Sequence, residues 1–281
     1  MSANYSEIVD VARDYYNSDD ADNFYYQVWG GEDIHIGLYA EEGESIAAAS
    51  SRTVAAMAEQ LKDKIVKSNV VDLGAGYGGS ARWLAKTFGC RVSCVNLSEV
   101  QNERNREMNR AASLDGVIDV YDASFEQVPL PDATFDLAWS QDSILHGGDR
   151  SRALDEVDRI LKPGGEFIFT DPMQADDCPS GLLQPVLDRL HLDSLASIGF
   201  YRAQGQRLGW QEVKIANLTP QLVNHYTRVR QELASRRDTL SGAVSEAYID
   251  RMIAGLGHWI DAGDAGLLRW GILHFRKPGT H

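Results

Sequence analysis

The stretch VVDLGAGYGGS, residues 70–80, constrains the fold more than any other part of the chain. A short apolar run broken only by Asp72 leads directly into Gly74, Gly76, Gly78 and Gly79. This pattern predicts a buried strand that ends in a tight turn, where the backbone can come close to a ligand. A carboxylate ahead of the turn would repel the pyrophosphate of a dinucleotide. Asp72 instead suits a ligand with an amino group, or accepts backbone donors within the turn.

Strand and helix patterns then alternate along the chain. Further strands are predicted at 91–97, 117–123, 135–143 and 164–172, and helices at 79–88, 99–112 and 150–161. Strands that alternate with helices indicate a parallel sheet with helices on both faces. The sequence therefore predicts an α/β fold.

Both ends of the chain depart from this alternation. Helical patterns occupy 5–17 and 45–67 near the start of the chain. After the alternating part, an insertion at 176–205 precedes a late strand at 208–218. A second insertion, at 219–260, separates that strand from another at 269–277. Insertions of this kind commonly cover the mouth of such a sheet. We expect a helical lid at 1–59, a ligand-binding core at 60–175, and cap insertions with the last two strands at 176–281, all within one elaborated domain.

The charge and composition exclude several classes of protein. The 281 residues carry 41 acidic and 27 basic side chains, and the net charge of −14 opposes binding to nucleic acid. Lysine is scarce, which suits a salty cytoplasm in which repulsion is screened, although an ordinary acidic protein looks the same. We expect no membrane span, signal peptide or disulfide set, and therefore a cytoplasmic protein. No cluster of His, Cys or carboxylates has metal-ligand spacing, so we expect no metal.

Four motifs in order resemble the class I S-adenosylmethionine (SAM) methyltransferases. They are VVDLGAGYGG, CVNLSEVQ, DVYDASFEQVPLPDATFD and LKPGGEFIFTDP, which together cover about residues 60–175. The resemblance implies a Rossmann-like, mostly parallel sheet of seven strands. It also implies SAM as the methyl donor and S-adenosylhomocysteine (SAH) as the product.

The resemblance also assigns residues to the cofactor. Asp72, Gly74, Gly76 and Gly78 match the first motif, and Gln141 and Trp29 are further candidates.

Two later motifs match the nucleoside part of the cofactor. Asn96 stands where the family usually places an acid on the ribose hydroxyls; an amide can both donate to and accept from them. Leu97 and Gln101 follow Asn96 in the same motif and are assigned to the same part of the cofactor. The spacing Ser98-x-x-Gln101 is equally typical of a helix capping box. The adenine-bracketing segment matches Asp122, Ala123 and Ser124.

Longer segments narrow the resemblance to the sarcosine/dimethylglycine N-methyltransferases of betaine synthesis. They include YYNSDDADNFYYQVWGGEDIHIGLY, WSQDSILHGGDR, LHLDSLASIGFYR and LVNHYTRVRQEL. The resemblance implies N-methylation of sarcosine or N,N-dimethylglycine, with small amino acids as partners. The sequence leaves open whether the protein is a monomer or a homodimer. Alternatives are another small acceptor such as glycine or phosphoethanolamine, and a SAM-binding module without catalysis. Asp72 disfavours an oxidoreductase.

Methyl transfer to an amine needs a neutral nucleophile and a group that holds the acceptor's carboxylate. We expect His146, with a pKa near neutrality, to orient or deprotonate the amine; a helix-cap or core role is the alternative. Arg202, beside Tyr201, is the predicted carboxylate clamp, ahead of Arg228 and Arg52.

Other polar and aromatic side chains are weaker candidates. Asp142 lies beside Gln141, and a turn-forming role is its alternative. His225 and Tyr226 are more simply explained by helix packing.

The aromatic stretch NFYYQVWGGEDIHIGLY, residues 23–39, is the expected lid. Flat aromatic faces attract cations such as a sulfonium or a quaternary amine. We expect Tyr26, Trp29 and His35 to line the site, with Tyr26 among the catalytic residues, and Phe24 and Tyr39 to serve packing. A stretch that only pins the N-terminus is the alternative. Gly30 and Gly31 are expected to let the chain turn close to the ligand.

Overall fold

The computed structural model describes residues 7–279 except Gly30, His191 and Ser241. The first two residues of the helix predicted at 5–17 and the expected turn glycine Gly30 therefore lie outside the described residues. Within the described chain the strands are β1 (Asn69–Leu73), β2 (Arg91–Asn96), β3 (Ile118–Asp122), β4 (Phe135–Gln141), β5 (Leu161–Thr170), β6 (Met173–Gln174), β7 (Gln211–Asn217), β8 (Leu268–Arg269) and β9 (Gly271–Arg276).

Seven of these strands form one sheet in the order β3-β2-β1-β4-β5-β9-β7. Neighbours from β3 to β5 run parallel, whereas β9 is antiparallel to both β5 and β7. The strand order reverses at β1, which lies between β2 and β4. This confirms the predicted fold class, and a ligand site is expected beyond the carboxyl end of β1.

Helices cover the sheet and extend beyond it. They are α1 (Glu7–Tyr16), α2 (Asp19–Phe24), α3 (Ile46–Leu61), α4 (Gly79–Phe88), α5 (Glu99–Ala111), α6 (Arg150–Ile160), α7 (Gln184–Leu190), α8 (Ile198–Arg207), α9 (Thr219–Ser235), α10 (Arg237–Leu240) and α11 (Glu246–Asp264). A π-helical turn at Tyr25–Trp29 follows α2, and single 3₁₀ turns lie at Lys62–Ile65 and Ile144–His146.

The predicted helical insertion at 219–260 forms three helices, α9, α10 and α11, and the chain turns between α10 and α11 at Gly242, whose φ of +90° favours glycine. The length of one other predicted helix was wrong. The helix expected at 45–67 ends at Leu61 and continues as the 3₁₀ turn. The side-chain cap at its start is as expected, since Ser45 Oγ accepts a hydrogen bond from the Ala48 backbone N–H.

The aromatic stretch contributes to an apolar core at the carboxyl edge of the sheet. Phe24, Tyr25 and Trp29 are buried there together with Tyr226 of α9 and Trp259 of α11. The N-terminal segment therefore packs on the late helices, and this core closes over the ends of β1 and β4. None of the helices in the described ranges has the length and apolar content needed to cross a membrane.

Candidate active site

A cavity with about 790 Å³ of empty space lies over the carboxyl ends of β1, β2 and β4. The strand–turn–helix units of the sheet bring together residues that are far apart in sequence. The predicted residues on its wall are Asp72, Gly74, Gly76, Asn96, Leu97, Gln101, Gln141 and His146. His35, Asp142, Tyr16 and Phe125 lie on the same wall.

The turn after β1 requires glycine at two positions on the cavity wall. Gly74 and Gly76 have φ values of +77° and +52°, in the region that disfavours other residues. A Cβ on Gly74 would lie 2.3 Å from the Ser143 side chain, and one on Gly76 would lie 3.1 Å from Ile34. Gly78 differs, because a Cβ there would lie 2.2 Å from Asn105 and the residue is not on the cavity wall. Gly78 therefore serves packing against α5, which corrects its assignment to the cofactor.

Asp72 is buried at the end of β1 and faces the cavity. Burial raises the pKa of its carboxyl to about 7, with the nearby imidazole of His35 opposing the rise and the carboxylate of Asp33 adding to it. Among the described residues no donor hydrogen-bonds its oxygens. A buried carboxylate without a partner is costly, so Asp72 is suited to a ligand ammonium group.

The corner beyond β2 holds three amides. Asn96 Nδ2 donates to Gln101 Oε1 at 3.2 Å and to Asn102 Oδ1 at 3.1 Å. Ser98 Oγ accepts from the Gln101 backbone N–H at 3.2 Å, which is the first half of the predicted capping box. The Gln101 side chain bonds Asn96 instead of completing the box, and its Nε2 is buried without a partner in the described chain. A free acceptor on Asn96 and a free donor on Gln101 suit a pair of hydroxyls.

Gln141 presents a second free donor at the end of β4. Its Oε1 accepts from Ser80 Oγ at 2.6 Å and from Trp139 Nε1 at 2.9 Å. These bonds fix the amide, and Nε2 remains buried with no partner in the described part of the chain. The next residue has no free oxygen: Asp142, at a φ of +51°, accepts from the Ile36 backbone N–H at 2.6 Å and from Trp270 Nε1 at 2.8 Å.

The predicted adenine-bracketing residues lie off the cavity wall. Asp122 is half-exposed, and its oxygens accept from Asn102 Nδ2 at 2.7 Å and Arg106 Nη2 at 2.8 Å. Ala123 packs in the core, and Ser124 Oγ accepts from the Glu126 backbone N–H in a local turn. The structure places the ring of Phe125 on the wall instead, a residue that the sequence interpretation missed although it lies in the same motif.

A smaller inner pocket of about 350 Å³ adjoins the cavity. Its wall includes Tyr16, Tyr25, Trp29, His146, Arg189 and Tyr226, of which Tyr16 and His146 also line the larger cavity. Trp29 thus lines the inner pocket and not the cofactor cavity to which it was assigned. His35 lies on the walls of both spaces, and its role in the site stays a prediction.

Tyr16 and His146 lie on the walls of both spaces, together with Ile34, His35 and Asp142. The Tyr16 hydroxyl lies 2.9 Å from His146 Nε2, and His146 Nδ1 is buried without a described partner. Burial, together with the positive charges of Arg150 and Arg189, lowers the pKa of His146 to about 3. The expected pKa near neutrality is therefore wrong, because desolvation disfavours the charged imidazole.

Arg189 presents a buried guanidinium to the inner pocket, although the residue as a whole is partly exposed and also lines a surface cleft with Asp188 and Arg251. Its Nε, Nη1 and Nη2 atoms are buried and have no hydrogen-bond partner in the described chain. Its guanidinium carbon lies 5.8 Å from the ring centre of Trp29 and 5.5 Å from that of Tyr226. No sequence motif marks this residue, which the sequence interpretation missed.

Several predicted residues lie elsewhere. Arg202 is half-exposed on α8 and forms a two-bond ion pair with Glu212 at 2.9 and 3.1 Å, so its placement corrects the expected clamp. Tyr26 is 40% exposed and stacks under Arg104, outside both spaces, which corrects its catalytic assignment.

The remaining weaker candidates also have structural partners. Arg52 pairs with Glu44, and Arg228 Nη1 donates to Gln231 on the same helix. His225 Nδ1 lies 3.1 Å from the Gly37 backbone nitrogen and 3.0 Å from the Tyr39 hydroxyl, which ties the aromatic stretch to α9.

The cavity's residues fit SAM. They provide a buried carboxylate at Asp72 for an ammonium group, an amide corner at Asn96 and Gln101 for hydroxyls, and a side-chain-free turn at Gly74 and Gly76. The free Gln141 amide adds a donor at the same edge.

The comparisons with known proteins agree with this geometry. A family model described as a methyltransferase domain matches residues 71–169. The sarcosine/dimethylglycine N-methyltransferase of Aphanothece halophytica is 54% identical over 267 residues, which are 95% of this chain and 96% of that protein. The dimethylglycine N-methyltransferase of Parasynechococcus marenigrum (strain WH8102) is 55% identical over 96% of each chain.

The same relationship holds in three dimensions. A crystal structure of a candidate sarcosine dimethylglycine methyltransferase from Galdieria sulphuraria superposes with a TM-score of 0.89 at 40% identity, over 95% of this chain and all of that one. The chain belongs to the sarcosine/dimethylglycine N-methyltransferase family of SAM-dependent methyltransferases.

Proposed function

We propose that the chain transfers a methyl group from SAM to the nitrogen of sarcosine and of N,N-dimethylglycine, giving dimethylglycine and glycine betaine, in the cytoplasm. The observation that carries the proposal is the inner pocket that meets the cofactor cavity at the Tyr16–His146 pair. The rings of Tyr25, Trp29 and Tyr226 on its wall are nearly fully buried, which suits a small acceptor and not a lipid. The high identity to relatives named for these acceptors supports the same choice.

The residues of the larger cavity would hold the methyl donor. Asp72 binds its ammonium group, Asn96 and Gln101 bind its ribose hydroxyls, and the Gln141 amide donates to its amino acid part. When bound, SAM supplies an electrophilic methyl group on a positively charged sulfur. Fixing two reactants in line contributes much of the acceleration of such a displacement.

The acceptor must be a neutral amine, because only a free lone pair can form the new N–C bond. The surroundings that lower the pKa of His146 to about 3 act in the same direction on an ammonium held beside it. Burial and nearby guanidinium groups disfavour a second cation. The pocket therefore shifts the acceptor toward its neutral form, and the proton leaves to solvent before the pocket closes.

Tyr16 and His146 orient that amine. A neutral imidazole accepts the Tyr16 hydroxyl hydrogen at Nε2, which leaves the hydroxyl oxygen free to accept an N–H of sarcosine. Neutral dimethylglycine has no N–H, so with that acceptor the same oxygen contacts the N-methyl hydrogens, which become more positive as the nitrogen forms its fourth bond to carbon. The rings of Tyr25, Trp29 and Tyr226 surround the pocket and exclude water.

The N-terminal segment acts as a lid in this proposal. Arg13 and Tyr16 of α1 lie on the cofactor cavity wall, and Arg13 pairs with Glu99 at the start of α5. Asn17 adds a bond to Glu99 at 2.9 Å and accepts from Ser98 at 2.7 Å. These contacts would close the cavity over bound SAM and dry the site.

An acceptor panel tests the proposal. Purified protein is incubated with SAM and, separately, with glycine, sarcosine, dimethylglycine and phosphoethanolamine, and the methylated products are identified by mass spectrometry. We expect products from sarcosine and dimethylglycine only. A product from phosphoethanolamine alone, or none at all, would reject the proposal. The His146→Ala variant should bind SAH and lose most turnover, which separates methyl transfer from mere cofactor binding.

A further inference from the structure

We propose that Arg189 binds the carboxylate of the acceptor and thereby fixes which end of that molecule faces the cofactor. This inference rests on the proposed function and adds to it the residue that selects α-amino acids. Arg189 lies on α7, in the insertion predicted at 176–205, and lines the inner pocket that holds the Tyr16–His146 pair.

The first argument is the absence of a partner for a buried charge. All three guanidinium nitrogens of Arg189 are buried, and none has a hydrogen-bond partner in the described chain. No carboxylate of the described residues lies within ion-pair distance of it, and the adjacent Asp188 accepts instead from Gln184 Nε2 at 2.7 Å. A buried guanidinium without hydrogen bonds is strongly disfavoured. A ligand anion in the inner pocket would satisfy it.

The second argument is that the fold makes room for this side chain. Gly255 of α11 lies against the Arg189 side chain, and a Cβ there would lie 2.7 Å from Arg189 Cδ. On the other side the guanidinium carbon lies 5.8 Å from the Trp29 ring centre and 5.5 Å from the Tyr226 ring centre. Aromatic faces hold a guanidinium without occupying its N–H groups. The donors are therefore positioned and free.

The third argument is the position of the reacting end. Tyr16 and His146 line both the inner pocket and the cofactor cavity, whereas Arg189 lines the inner pocket and not the cavity. An acceptor whose carboxylate meets Arg189 therefore presents its nitrogen to the boundary with the cofactor. An α-amino acid has a carboxylate and a nitrogen one carbon apart. An amino alcohol such as 2-(dimethylamino)ethanol would leave the guanidinium unpaired and is expected to be rejected.

The experiment compares Arg189→Gln and Arg189→Lys with Arg207→Gln as a matched control. Arg207 is a half-exposed arginine of α8 paired with Asp155, away from both spaces. Calorimetry measures the dissociation constant of SAH and then that of glycine betaine for the SAH complex, and kinetics give the KM for dimethylglycine. Loss of a charge-assisted bidentate contact should raise the KM of Arg189→Gln by about 100-fold and abolish betaine binding. SAH affinity should stay within about threefold.

The results separate the role of Arg189 as the carboxylate anchor, the residue that binds the acceptor's carboxylate, from the proposed function. Lys keeps the charge without the planar fork, so Arg189→Lys should lie between wild type and Arg189→Gln. A variant KM within about threefold of wild type, or an equal loss for SAH and dimethylglycine, would overturn the anchor while leaving the proposed function intact. If the wild-type protein methylated none of these acids, the proposed function itself would fail.

A wild-type measurement keeps the test open should the variants fold poorly. 2-(Dimethylamino)ethanol is tested as a competitor against dimethylglycine. Weak inhibition, at least about 100-fold poorer than that by glycine betaine, supports the anchor. Inhibition as strong as that by betaine would reject it.

Discussion

The Tyr16 hydroxyl lies 2.9 Å from Nε2 of His146, and this contact joins the first described helix to the turn that follows β4. The two residues are 130 positions apart in sequence. Their contact lies where the cofactor cavity meets the inner pocket. In the proposed mechanism it would couple closure of the N-terminal segment to the placement of the reacting nitrogen.

Tyr16→Phe should lower kcat without unfolding the protein. The change removes the hydroxyl that orients the amine, and loss of such a contact costs about 100-fold in turnover. Tyr121→Phe, on β3 and outside both spaces, is the matched control and should keep wild-type kcat. Steady-state kinetics and SAH calorimetry check the prediction. Unchanged kcat in Tyr16→Phe would remove the pair from the mechanism.

Binding of SAH should strengthen as the pH rises through about 7. The carboxyl of unliganded Asp72 has a pKa raised to about 7 by burial, and only its ionised form pairs with an ammonium group. Calorimetry from about pH 5.5 to about 7.5 should therefore show rising affinity. Asp72→Asn should bind more weakly and lose the slope. His35→Asn is the control, because its imidazole is also buried nearby; a slope that disappears in that variant instead would assign the effect to His35.

The raised pKa of Asp72 also predicts how the stability of the fold changes with pH. A carboxyl whose folded pKa exceeds its unfolded value of 3.8 stabilises the fold fully below that value and less as the pH rises through about 7. Without ligand, the melting temperature of Asp72→Asn relative to that of wild type should therefore be higher at alkaline pH than at acidic pH. Thermal unfolding at several pH values measures the difference. A gain that is the same at all pH values would contradict the raised pKa.

Asp171 should act as a positioning residue for His146. Its Oδ1 accepts from the Leu145 backbone N–H at 3.0 Å, and its Oδ2 accepts from the Tyr201 hydroxyl at 2.6 Å. Asp171→Ala leaves two buried donors unpaired, each costing about 1–3 kcal/mol of unfolding free energy. Tyr201→Phe leaves one buried acceptor, Asp171 Oδ2, unpaired instead of two donors, so it should cost less and leave kcat near wild type. Denaturant unfolding and kcat together check this order.

The lid contact between Arg13 and Glu99 should depend on salt. Both side chains are partly exposed, at 37% and 45%, so the pair contributes only about 0.2–1 kcal/mol. Glu99→Gln should raise the KM for SAM by up to about fivefold at low salt, and the difference should vanish near 1 M salt. Glu103→Gln, which removes two exposed ion pairs within α5, with Arg106 and Arg110, is the control. A difference that persists at high salt would contradict a screened contact.

The sheet could be predicted because its signals are local. Buried strands are runs of apolar residues, and the positive φ at Gly74 and Gly76 requires glycine in the turn after β1. The order of motifs then gave the cofactor. The same local signals placed Asp72, Asn96 and Gln101 on one edge of the sheet, where the structure also has them.

The inner pocket could not be predicted because it depends on which side of an insertion faces inward. Arg189 and Arg202 lie 13 positions apart in one predicted insertion, and both are followed or preceded by apolar residues. Arg189 is turned inward by its packing against Gly255 and Trp29, whereas Arg202 stays at the surface and pairs with Glu212. No spacing rule carries that information.

The sequence did not show which rings of the aromatic stretch face inward. The π-helical turn at Tyr25–Trp29 determines this. Tyr25 and Trp29 share its buried side and line the inner pocket, whereas Tyr26 points to the surface. Composition marked the stretch as unusual but did not distinguish adjacent tyrosines. As expected, Phe24 serves packing.

The most direct test of the account follows one labelled methyl group. Purified protein is mixed with SAM carrying a ¹³C-methyl group and with dimethylglycine, and the product is followed by NMR. The account predicts a labelled trimethylammonium signal of glycine betaine from the wild-type protein, at a rate that Tyr16→Phe and His146→Ala reduce while both still bind SAH. Label that stays on SAM, or betaine formed at wild-type rates by both variants, would contradict it.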